Sequence, residues 1–186
     1  MNSTSAPKVT FEATPNPATM KFLLPLKVAD EGFDCATAQE AERSPLASKI
    51  FGFPWTSGVY VGPNFITVTK QDWVDWDILA SPLTGLIQEH LDSNEPVVLD
   101  LTHVIEDDAN DSAIVREIKK VLNNEIRPVV ALDGGDIVFQ RYEDNVLYIH
   151  MRGACAGCPS SAATLKGGIE TRMQELFPEI TEVVAV

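Results

Sequence analysis

"NVLYIHMRGACAGCPSSAATLKGGIETRMQEL", Asn145 to Leu176, is the stretch on which the fold of this chain turns. Its first part alternates. Leu147, Ile149 and Met151 share one face of an extended segment, and Val146, Tyr148 and His150 share the other. Its last part changes period: Ala162, Leu165, Ile169, Met173 and Leu176 recur at the spacing of a helix. Between the two lies C-x-x-C, Cys155 and Cys158, with Pro159 at the first position of the coming helix. The stretch therefore reads as strand, dithiol loop, helix.

The flanks extend this unit. Upstream, "IVFQRY" forms a hairpin with "NVLYIHM" around Glu143 and Asp144. "LDGGD", Leu132 to Asp136, reads as a turn, because its glycines permit positive φ, and its acids are expected to be solvated. A metal role for Asp133 and Asp136 is the lesser reading. A helix is predicted from about Ala113 to Glu125, with Ile114, Val115, Ile118, Val121 and Leu122 on one face. Downstream, "VVAV" is a short terminal strand.

Further upstream, "DLTHVIEDDANDS", Asp100 to Ser112, packs five carboxylates into 13 residues and reads as a solvated linker. It ends in a helix cap at Asp111 or Ser112. The half before it mixes elements. Lys8–Thr14 reads as a strand, and "TPNPATMKF" bends into a second strand through Leu24. "SPLASKIFGF" starts a helix with Ser then Pro. "GVYVGPNFITVTK" is a hairpin around Gly-Pro-Asn. Trp76 to Leu91 is a helix, with Ile78, Leu79, Leu83, Leu86, Ile87 and Leu91 near helical spacing. The predicted architecture is α+β: two small α+β domains, residues 8–99 and 113–186, joined by an acidic linker over 100–112.

Composition narrows function. The chain has 186 residues and a formal net charge of -13, from 27 acids against 14 bases. That balance opposes phosphate-backbone binding and docking on anionic membranes, so neither nucleic acid nor membrane is an expected partner. The first residues hold neither an apolar signal core nor an Arg-rich transit pattern, and the three cysteines do not make a disulfide framework. The expected compartment is cytoplasmic. The first half contains no carboxylate pair near a His, no Gly-rich phosphate loop and no Ser/His/Asp arrangement.

Three chemistries fit the cysteine pair. A thiol–disulfide protein would cycle Cys155 and Cys158, but the usual βαβ setting is replaced here by a hairpin. A structural zinc adaptor needs four ligands, and only His150 joins the two thiols nearby. An iron–sulfur cluster takes four thiolates. The third cysteine, Cys35, has no partner spacing and reads as structural. One chain then supplies half a cluster, and two chains supply a whole one. The bland reading is two small residues packing a tight corner.

"IRPVVALDGGDIVF", "GACAGCPSSAATLKGGIE" and "FPEI" resemble the C-terminal domain of NifU, the Nfu domain, over about Ala113 to Val186. "TPNPATMKF" and "SPLASKIFGFPWTSGVYVGPNFITVTK" resemble the N-terminal domain of Nfu-type scaffold proteins, over about Val9 to Leu91. The resemblance implies a non-enzymatic carrier. It implies a [4Fe–4S] cluster shared between two subunits of a homodimer, with Cys155 and Cys158 as the ligands to its iron. It also implies an upstream cluster-assembly scaffold as donor and apo iron–sulfur proteins as clients. The N-terminal domain, which has no ligand set, is then left to recognise partners.

Overall fold

The computed structural model describes residues 8–99, 111–157 and 159–186, with the backbone alone at 159–162. The chain separates into two compact units, Met1–Leu101 and Thr102–Val186.

The first unit is an antiparallel sheet of five strands in the order β1-β2-β5-β4-β3. β1 is Thr10–Ala13, β2 Thr19–Leu23, β3 Phe33–Cys35, β4 Thr56–Val61 and β5 Phe65–Lys70. The bend between β1 and β2 is held by side chains. Thr14 Oγ1 donates to the Asn16 carbonyl at 2.9 Å, and Asn16 Oδ1 accepts from the Ala18 amide at 3.0 Å. β4 and β5 turn over Gly62-Pro63-Asn64, closed by Gly62 N–H to the Phe65 carbonyl at 2.8 Å.

Two α-helices cover one face of this sheet. α1, Pro45–Phe51, begins at Ser44, whose hydroxyl accepts from the Ala47 amide at 3.0 Å. α2 is Trp76–Asp92. Leu46, Ile50, Leu83 and Ile87 from the helices meet Phe22, Val59, Val61 and Ile66 from the sheet in one core.

Two sequence expectations change here. β3 does not appear in the sequence pattern, because three residues are too few to show alternation; it places Cys35 in the core with no solvent exposure. Ile78, counted among the apolar residues at helical spacing in α2, is 67% exposed. The sheet side of that helix is taken by Leu79, Leu83 and Ile87, spaced by four, and Ile78 sits one position off it.

The second unit starts with α3, Ala113–Val121, capped by the Ser112 hydroxyl accepting from the Val115 amide. The rest of the acidic stretch, 100–110, lies outside the described residues. The helix does not stop near Glu125. It widens into a π turn, Leu122–Ile126, and continues as α4, Arg127–Leu132. Pro128 falls in the first turn of α4, where a missing N–H costs little, and the wider turn before it relieves the ring's clash with the preceding backbone.

β6, Gly135–Glu143, and β7, Val146–Gly153, follow as an antiparallel hairpin. Its turn residues, Asp144 and Asn145, have φ of 51° and 63°, the left-handed pair that a two-residue hairpin turn demands. α5, Pro159–Leu176, carries the chain to β8, Glu182–Ala185, which pairs parallel to β7. Leu147, Ile149 and Met151 are buried, as the alternation predicted, and pack with Ile118, Leu122, Ile169 and Met173. Leu176 is exposed; the stripe of α5 ends at Met173, and Phe177 packs in its place.

Candidate functional site

The two strands of the hairpin begin and end on glycine. Gly135 opens β6, Gly153 closes β7, and they are register partners. From Gly153, with φ of 62°, the chain leaves the sheet into a loop whose next glycine, Gly157, has φ of 75°. Both bends need a residue that tolerates the left-handed region. The loop is pinned to the turn before β6: the Ala154 amide donates to the Gly134 carbonyl at 3.1 Å.

This places Cys155 directly over Gly135. A Cβ built on Gly135 would lie 2.1 Å from Cys155 Sγ and 3.1 Å from its Cβ. The second glycine of "LDGGD" is therefore a seat for the thiol, cleared of side chain. Cys155 is 6% exposed and belongs to the core of the unit. Burial pushes its thiol up to about 12, and the charges of Asp133 and Asp136 push the same way. In the protein as folded, Cys155 keeps its proton.

The carboxylates of the turn divide in role. Asp133 is exposed, as expected. Asp136 is 4% exposed, so the expectation that both are solvated is corrected. Asp136 is buried because Arg127 on α4 meets it with both arms of its guanidinium: Nε to Oδ1 at 2.7 Å and Nη2 to Oδ2 at 3.0 Å. Arg127 Nη1 also donates to Asn123 Oδ1 at 3.1 Å, in the π turn. The fork-to-carboxylate geometry ties α4 to the start of β6, directly beneath the cysteine loop. This ion pair is invisible in the sequence. Its signal would have been an Arg nine residues before an Asp, which means nothing without the turn between them.

The other candidates separate cleanly. Cys158 lies outside the described residues. His150, on the outward face of β7, is engaged through Nδ1 with the Val186 carbonyl at 2.7 Å. Cys35 is buried on β3, its thiol directed to the Glu40 carbonyl at 3.7 Å and raised to about 12, chiefly by burial. Among the described residues, no three His, Cys, Asp or Glu side chains gather into a metal site.

These features define a class: a chain of two α+β units whose second unit holds a protonated thiol in a glycine-flanked loop at the end of a hairpin. Residues 9–94 match the family described as "Scaffold protein Nfu/NifU N terminal", and residues 118–184 match the NifU-like domain. A Drosophila sechellia protein named "NFU1 iron-sulfur cluster scaffold homolog, mitochondrial" is 38% identical over 180 residues, covering 93% of this chain and 62% of that protein. The Homo sapiens protein of the same name is 37% identical over 176 residues, covering 93% of this chain and 69% of its own length. A solution structure of a NifU-like protein from Saccharomyces cerevisiae superposes with a TM-score of 0.46 at 24% identity, over 54% of this chain and 92% of that one. The chain belongs to the Nfu/NifU scaffold family. It spans about 62% of the length of the Drosophila relatives that it matches.

The expectation of a cytoplasmic protein is overturned by these relatives, which are named mitochondrial. It rested on the character of the first residues, and a chain that spans only part of its relatives carries no information on compartment there.

Proposed function

We propose that this protein is a non-enzymatic carrier of iron–sulfur clusters working in the mitochondrion. In this reading a [4Fe–4S] cluster is its cargo, held between two copies of the chain by Cys155 and Cys158 of each. An upstream assembly scaffold supplies the cluster, and apo-proteins receive it. The division into a partner-recognising domain over 8–99, a linker over 100–112 and a cluster-handling domain over 113–186 belongs to the same proposal.

The observation that carries it is the seat of Cys155 on Gly135. A thiol held against a bare backbone at the mouth of a loop has a fixed position. It is protonated until a cation displaces the proton. Asp133 and Asp136 disfavour a lone thiolate there, and iron offsets that repulsion. Two thiols per chain make half of the four that a cluster takes, so the cargo is complete only between two chains. Transfer is then ligand exchange. Each incoming client thiolate takes one iron position, and the cysteine that leaves recovers a proton. The iron keeps its oxidation state.

Anaerobic reconstitution tests this. The expected product is brown, with about four irons per two chains. Cys155→Ala and Cys158→Ala should each abolish loading, while Cys35→Ala should load as wild type does. A colourless zinc-loaded protein would refute the proposal, as would an internal disulfide with no uptake of iron.

A further inference from the structure

α4 presents two large apolar side chains to solvent: Val129, 60% exposed, and Leu132, 72% exposed. They are three positions apart, so they lie on one side of the helix. The opposite side is committed to the fold, through buried Val130 and through Arg127 on Asp136.

Their position is specific. α4 ends at Leu132 and passes through Asp133 and Gly134 into Gly135, the seat of Cys155. The Ala154–Gly134 hydrogen bond fixes the loop to this end of the helix. The cysteine loop is therefore tethered next to the end of α4 that carries Leu132.

We infer that Val129 and Leu132 form the collar against which a second copy of this chain packs when a cluster is held between the two. The inference rests on the two-chain reading above. Cys155 is nearly buried, and a cluster is only a few ångströms across. A second chain whose own cysteines reach the same cluster must bring its loop against this one, and with it the surface beside the loop. The end of α4 is that surface. The two side chains per protomer are far short of the roughly 800 Å² per partner that a standard stable interface covers. The collar is thus too small to pair empty chains. It strengthens a pair that the cluster has already joined, and it lets go when the cluster leaves.

The test is dilution of the loaded protein. Val129→Gln with Leu132→Gln keeps charge constant and suits an exposed helix. Wild type and the double variant are reconstituted anaerobically. Visible absorbance, iron content and scattering mass are then followed as concentration falls. The expected result is that the double variant loses dimer and cluster together at a concentration at least tenfold higher than wild type. Its apo form should melt as wild type does. Val129→Ile with Leu132→Met, which keeps the collar apolar, should behave as wild type. Equal midpoints for wild type and the Gln variant overturn the inference. So does an unchanged midpoint combined with slower delivery to an apo-client, which would assign the surface to the client. A loaded wild type that holds its full iron as a monomer overturns the two-chain reading itself, and that is seen before any substitution is made.

Discussion

Gly135→Ala is the sharpest perturbation of the thiol seat. The added methyl carbon would lie 2.1 Å from Cys155 Sγ, where carbon and sulfur normally rest at roughly 3.5 Å or more. The sulfur must therefore move by about 1.5 Å. Rotating the thiol away is not enough, because Cys155 Cβ at 3.1 Å and its amide nitrogen at 3.2 Å are also crowded. The loop itself has to shift. Overpacking of this kind costs about 1–3 kcal/mol. For a unit of this size each kcal/mol lowers the melting temperature by roughly 4–8 °C. Calorimetry should show the second unit melting earlier. Tryptophan fluorescence should not change, since Trp55, Trp73 and Trp76 all lie in the first unit. If Cys155 binds the cluster as proposed, its displacement should also weaken cluster retention by about tenfold to 100-fold. Gly168→Ala is the control: no atom lies within 4 Å of its new Cβ, and mid-helix alanine should add about 0.5–1 kcal/mol of stability. If Gly135→Ala melts and loads like wild type, the thiol does not depend on this seat.

Asp136→Ala leaves Arg127 without its buried carboxylate and should destabilise the second unit by about 2–3 kcal/mol, less than a fully buried pair because Arg127 is partly exposed; urea unfolding followed by far-ultraviolet circular dichroism measures it. Cys35→Ala opens a small void in the first core and should cost about 1–2 kcal/mol there with no change in iron content, which links calorimetry to iron analysis on one sample. His90 gives the first unit a pH dependence. Burial lowers its pKa below 6.5; Lys49 Nζ donates to Nδ1 at 3.1 Å, Nε2–H donates to the Pro96 carbonyl at 3.3 Å, and Glu95 lies 3.4 Å away. The unfolded chain then binds the proton first, so stability is whole above about pH 6.5 and falls as pH drops below it. Tryptophan-monitored urea midpoints at pH 7.5 and pH 5 should differ in that direction, and His90→Gln should flatten the difference.

What could be read from the sequence was local. Ser44 followed by Pro45 announced a cap and a helix start, because both residues act within one turn. Gly62-Pro63-Asn64 announced a hairpin for the same reason, and the second hairpin was expected around Glu143 and Asp144; pairing of Glu143 with Val146 moves its turn one residue on, to Asp144-Asn145. The alternation of Leu147, Ile149 and Met151 survives intact, since one face of β7 is buried along its whole length. What the sequence hid depends on long-range packing. Asp136 looks like a turn acid until α4 brings Arg127 onto it. Ile78 and Leu176 satisfy a helical period, yet the sheet reaches only the residues beside them. The period marks which residues can face a core. The neighbouring element decides which of them do. At the site, the dithiol motif was plain in the sequence, but the Gly135 seat was not, because it joins two loops twenty residues apart.

The sheet of the second unit runs β6-β7-β8, which leaves β6 and β8 as its edges. Unpaired edges invite other strands and are a common start of aggregation. β8 is only four residues long. β6 is interrupted by a bulge between Phe139 and Arg141, and it carries Arg141 and Glu143 along its outer stretch. A kinked, charged edge and a short one are poor templates for strand addition. Under the two-chain carrier proposed above, copies of the chain meet and then part, and blunted edges suit that cycle. Strand-to-strand joining would be slow to undo and would spread along a fibre. With both edges blunted, the encounter in that proposal is left to the thiol-bearing loop and the end of α4.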